Sequence, residues 1–177
     1  MRYDEFYLQP KWFSETNPVS SKPASATLTF TDAVVAGETV TIGTDEIYEF
    51  VASAEDVTTG CIPVVVGTDL TADNAIVGLV KAINDNSTIV TAIADSDDDK
   101  VVVNYKSNGT EGNSVAISAS GENFSWDASA STLSGGQFGT PCPMRNIAVY
   151  ADPDYYLCIK EGNKSNVKWR KVQLSDY

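Results

Sequence analysis

The chain contains no histidine. The side chain that most readily moves a proton near neutral pH, and most often ligates a metal, is therefore missing. Ser-His and Cys-His nucleophile pairs are excluded outright. Cysteine is scarce: Cys61, Cys142 and Cys158 lack the paired spacing of a zinc site and cannot all pair with one another, so reduced, buried thiols are expected. Bases are few, twelve against 24 acids, for a net charge of −12. That balance argues against a nucleic-acid partner, because phosphate contacts need a basic stripe. No run approaches the roughly 18 apolar residues of a membrane span, and the opening MRYDEFYLQP lacks the apolar core of a signal peptide. The expectation is a soluble chain with no membrane partner, made in a reducing cytoplasm. Asn86-Ser-Thr88 and Asn108-Gly-Thr110 are then incidental as glycosylation sequons. No G-x-S-x-G, P-loop or dinucleotide fingerprint is present, so neither a catalytic residue nor a cofactor is assigned.

What is there is a globular composition, 42% hydrophobic over 177 residues, enough for one modest domain with appendages or for two small ones. Charge is unevenly spread. Residues 24–140 hold three lysines against seventeen acids, a net −14, whereas residues 141–177 hold six bases against four acids, a net +2. The basic tail (Lys164, Lys168, Arg170, Lys171) reads either as a solvated edge strand, where lysine discourages stray pairing, or as a surface set against an acidic neighbour.

Residues 1–25 read as an extended arm carrying Tyr3, Phe6, Tyr7, Leu8, Trp12 and Phe13, then turning Pro- and Ser-rich at NPVSSKPASA. Pro10, Pro18 and Pro23 disfavour helix. The aromatics pack either on their own domain or on a neighbouring subunit, where such anchors supply much of the binding energy. Residues 26–120 read as the body. ATLTF, TVTI, EIYEFVA, IPVVV, TIVTAIA, KVVVNY and SVAISAS are strands by alternation or β-branched content. Thr71 to Asn86 reads as a helix, with Ile76, Leu79, Val80 and Ile83 in one apolar stripe that would cover one face of a sheet. Residues 121–140 read as a linker in which Phe124 and Trp126 can pin a last strand, and 141–177 as a small β unit of three strands with Trp169 as its anchor. The fold class expected is α+β: a β-rich two-layer sandwich with one amphipathic helix, an extended N-terminal arm and a small C-terminal β unit.

Two groups of residues invite chemistry. Asp95, Asp97 and Asp99 hold positions one, three and five of a calcium loop, but Lys100 and Lys106 stand where its glycine and final glutamate belong, so no metal site is assigned. Phe124, Trp126 and Asp127 could form an aromatic and acidic glycan site, against which stands an ordinary hydrophobic cluster.

Several short motifs resemble those of tailed-bacteriophage structural proteins. In the tail they are Gly139 to Pro141, Ile147 to Tyr150, Asp154 to Ile159 (DYYLCI) and Lys168 to Leu174 (KWRKVQL), with a longer turn, Glu161 to Asn166, than that pattern has. In the body they are Gly37 to Gly43, Tyr48 to Phe50 and the G-x-x-G-N turn from Gly109 to Asn113. The resemblance implies a non-enzymatic virion part, assembled in a host bacterial cytoplasm. A head decoration, head-fibre or capsid accessory protein is the form expected. It would bind the major capsid protein or other virion proteins and its own copies, as a homo-oligomer such as a trimer. The partner-binding candidates are Tyr3, Phe6, Tyr7, Trp12, Phe13 and Trp169. A tail accessory or completion protein and a host-glycan-binding module are the alternatives.

Overall fold

The computed structural model describes residues 18–95, 99–142, 148–151 and 154–172, with the side chains of 148–151, 154 and 155 left aside. These residues fall into two compact units. The body runs from Lys22 to Gln137; the small unit takes residues 18–21 together with those from Phe138 onward.

The body is built from two four-stranded sheets. The first contains β1 (Pro23–Phe30), β5 (Val90–Asp95), β6 (Lys100–Asn108) and β8 (Phe124–Trp126), in the order β5-β6-β1-β8. The second contains β2 (Thr39–Ile42), β3 (Glu46–Val51), β4 (Ile62–Val65) and β7 (Ile117–Ala119), in the order β4-β3-β2-β7. All pairs are antiparallel except β3 with β4, and Pro63 sits on that parallel edge strand, where a missing ladder donor is tolerated. Alternation decides which side of each strand is buried. Leu28, Phe30, Val101 and Val103 of the first sheet join Val40, Ile42, Tyr48, Phe50 and Val64 of the second in one core. Three rings lock the sheets together: Phe30 stacks on Phe124 with centroids 5.4 Å apart, and Phe50 meets Phe124 edge-on at 5.3 Å.

The helix α1 (Ala72–Asn86) buries Ala75, Ile76, Leu79, Ala82 and Ile83. It does not lie over one sheet, as the stripe alone suggested. It packs against β4 and β5, the edge strands of the two sheets, and so closes the gap between them. Gly78 makes the close approach possible, since a Cβ there would lie 3.1 Å from Val64 Cγ1 and 3.2 Å from the Val65 carbonyl. Thr71 holds the cap position but makes no side-chain cap bond.

The structure redraws two boundaries. Residues 121–137, expected as linker, belong to the body: β8 pairs with β1, Leu133 is fully buried, and Ser134 bridges Ser25. Phe124, Trp126 and Leu133 are large apolar side chains in a Ser/Gly background, and burying them outweighs the flexible composition around them. Residues 18–21, expected in the arm, pair within the small unit: Ser21 N–H donates to Val167 O at 3.1 Å, and Val19 O accepts from Thr140 N–H at 2.9 Å.

The small unit carries a three-stranded antiparallel sheet, β11-β10-β9, formed by β9 (Ala148–Ala151), β10 (Asp154–Lys160) and β11 (Lys168–Val172). Among the described residues its core is Cys142, Cys158 and Val167, with Trp169 packed against them. Cys142 and Cys158 form a disulfide, Cα–Cα 6.6 Å, which corrects the expectation of reduced thiols for these two; Cys61 is free. The bridge between Cys142 and Gly162 carries the first cysteine onto the sheet where Cys158 faces inward. Spacing along the chain does not show that approach.

Candidate interaction surfaces

The small sheet has two unlike faces. Partners across an antiparallel ladder share a side. Cys158 opposite Trp169 marks the covered face, and Leu157 opposite Arg170 marks the other. Lys168, two residues before Arg170, lies on that second face and stands opposite Lys160 beyond a bulge. Lys160, Lys168 and Arg170 are exposed, while Leu157 and Val172 are half-buried. Among the described residues none of these three cations forms an ion pair. The result is a short apolar strip bordered by positive charge.

The body is polarised by strand direction. β1, β3, β4 and β5 end, and β2, β6, β8 and α1 begin, at the same end of the two sheets. Loop contacts tie that end together: Thr31 N–H to Asn123 O at 2.8 Å, Phe30 N–H to Asp99 O at 2.9 Å, and Val34 N–H to Leu70 O at 2.9 Å. Asp32, Asp69, Asp73, Asp95, Asp99 and Glu122 are all exposed there. Val35 lies among them, 58% exposed.

Glu49 and Glu46 hold the scaffold instead. Glu49, 5% exposed, accepts from Thr58 N–H at 2.7 Å and Thr58 Oγ1 at 3.0 Å, which pins the loop between β3 and β4. Glu46 accepts from Thr88 N–H at 2.9 Å and from the Tyr48 hydroxyl at 3.1 Å, tying β3 to the start of β5. Burial, then the Glu46 charge, push the Tyr48 phenol well above its ordinary range. Burial and the Glu49 carboxylate likewise push the Cys61 thiol up, which disfavours its thiolate.

Of the residues singled out in the sequence, Tyr3, Phe6, Tyr7, Trp12 and Phe13 lie outside the described residues. Trp169 is half-buried and engaged within its own unit: its ring N–H donates to Thr140 O at 2.7 Å and its backbone N–H to Ser20 Oγ at 2.8 Å. Phe124 and Trp126 are core residues, 2% and 5% exposed, and offer no ring face to a sugar. Asp127 accepts from Thr29 Oγ1 at 2.6 Å. Asp97 lies outside the described residues, and among those described no three His, Cys, Asp or Glu side chains converge to hold a metal. No described helix is long and apolar enough to cross a membrane. The open face of the small sheet escaped the sequence, although its basic residues were noted, because its register was not known. Comparison with protein-family models, with curated proteins and with solved structures finds no match.

Proposed function

We propose that the chain is a structural protein of a tailed-bacteriophage particle: a head decoration or accessory protein that binds the shell and its own copies and transforms no substrate. The observation that carries this reading is the disulfide-clamped small unit. The motifs that resemble phage virion proteins fall on two paired strands of one sheet: Asp154 to Ile159 on β10, and the described part of Lys168 to Leu174, as far as Val172, on β11. Cys158 of the first motif closes the bridge to Cys142. Disulfides persist in oxidising surroundings, virion surfaces among them, which supports a position on the outside of the particle. The body motifs are scaffold features: Tyr48 and Phe50 are fully buried, and Gly109 to Asn113 turns the chain out of β6.

The test is immunogold electron microscopy of purified particles from the virus that encodes the chain, together with co-sedimentation of those particles with the full chain and with residues 18–177. Label over the head, and particle binding lost without residues 1–17, are the expected results. Label at the tail overturns the head assignment. Particles without label overturn the reading altogether. The truncation stops at residue 17 because Ser20 and Ser21 hydrogen-bond to the β11 segment, so a longer deletion would damage the small unit itself.

A further inference from the structure

We infer that the basic open face of the small sheet docks onto the acidic end of the body of a second copy of the chain. The inference deepens the virion reading and rests on its premise that copies associate. The docking face is the strip of Leu157 and Val172 bordered by Lys160, Lys168 and Arg170. Its occupant is identified by charge. The body from Lys22 to Gln137 carries four lysines against seventeen acids, a net −13. Contact between two bodies is opposed by that like charge, whereas contact between a body and the basic face is favoured.

Topology then selects which part of the body is met. The end where β1, β3 and β5 finish presents Asp32, Asp69, Asp73, Asp95, Asp99 and Glu122 to solvent. Lys100, half-buried, is the one described cation at that end, paired across the ladder with Asp95, so six exposed carboxylates stand there against a single lysine; Lys22 and Lys106 lie toward the opposite end, at the start of β1 and late in β6. Val35, 58% exposed at the acidic end, supplies the apolar counterpart to Leu157 and Val172. Charge steers the encounter and fixes which surfaces meet; the apolar contact holds them together.

The two sides of this contact use different residues, so the association is heterologous. Each copy keeps one unused surface until a ring closes, and a trimer closes with three such contacts.

Sedimentation velocity of the full chain tests this without any particle. The wild type associates at low salt, and its dissociation constant rises about tenfold or more between about 0.05 M and about 0.5 M NaCl, as screening of opposed surface charge requires. The variant K168Q/R170Q and the variant D32N/D69N/D73N each remain monomeric where the wild type associates. Mixed, they form a one-to-one pair, because one keeps an intact acidic end and the other an intact basic face. Circular dichroism of each variant matching the wild type shows that charge loss, not misfolding, is the cause. A wild type that stays monomeric at low salt overturns the inference, as does salt-independent association, or variants that are each monomeric and do not pair when mixed. Each of these results removes the contact between copies, while particle labelling decides the virion reading separately.

Discussion

Reducing the Cys142–Cys158 bridge should unfold the small unit and leave the body intact. The disulfide spans 16 residues of sequence. Closing a loop of that size removes denatured-state entropy equivalent to about 3 kcal/mol. Among the described residues the small unit has little else to set against its own ordering. A three-stranded sheet is marginal by itself, and among the described residues its buried apolar side chains are the two cysteines and Val167, with Trp169 half-covered. Full burial of a side chain such as Val167 contributes only about 1.5–3 kcal/mol, so the bridge is at least as large as any packing contribution among the described residues of this unit. The body has a separate core of more than twenty buried side chains and does not depend on it. Amide hydrogen exchange reads the two units separately. With reductant, or in Cys142→Ala/Cys158→Ala, the amides of Leu157 and Trp169 should lose roughly a hundredfold in protection, the equivalent of about 3 kcal/mol. The amides of Val40 and Phe50 should not change. Undiminished protection in β10 and β11 after reduction would refute the reasoning, and so would an equal loss in the body.

Trp126→Ala should destabilise the body by about 3–5 kcal/mol through the cavity it leaves. Trp126→Phe should cost only about 1 kcal/mol, because it also removes an indole N–H that is buried with no partner among the described residues; thermal or urea unfolding compares the two. Gly112→Ala should cost about 1–3 kcal/mol in the same assay, since its Cβ would meet Tyr105 Cγ at 2.6 Å and Ala24 Cβ at 2.8 Å. Tyr48 gives a pH dependence. Its folded pKa is raised above the unfolded value near 10. Its share of stability is therefore fully present below pH ~10 and is lost as pH rises further, by about 1.4 kcal/mol per pH unit. Tyr48→Phe should flatten that alkaline slope by one proton, measured as urea stability against pH; an unchanged slope would show that Tyr48 is not its source.

How far the sequence speaks depends on how local each signal is. β2, with Val40 and Ile42 between threonines, and α1, with Ile76, Leu79 and Ile83 in register, carry their own periodicity and were legible as a strand and a helix. β8 is three residues long, too short for alternation to register, so in the sequence Phe124 and Trp126 only hint at a last strand within a linker-like stretch, and nothing local marks β1 as its partner. The place of α1 between two sheet edges, the pairing of Ser21 with Val167 and the meeting of Cys142 with Cys158 are long-range events with no local mark. The interaction surface suffered in the same way. Lys168 and Arg170 were noted as basic, but a slip of one residue in register exchanges the faces of a strand. Only the observed pairing of Leu157 with Arg170 shows that they border one apolar strip, while Trp169, the conspicuous candidate, is turned inward.

Lys22 and Gln137, where the chain passes into and out of the body, exchange backbone hydrogen bonds of 3.1 Å in each direction. Everything between them is thus a cassette whose two ends are already neighbours, carried by a host module that is continuous in space but not in sequence. Such a cassette can be transplanted into another surface loop, or exchanged for a different one, without stretching either piece.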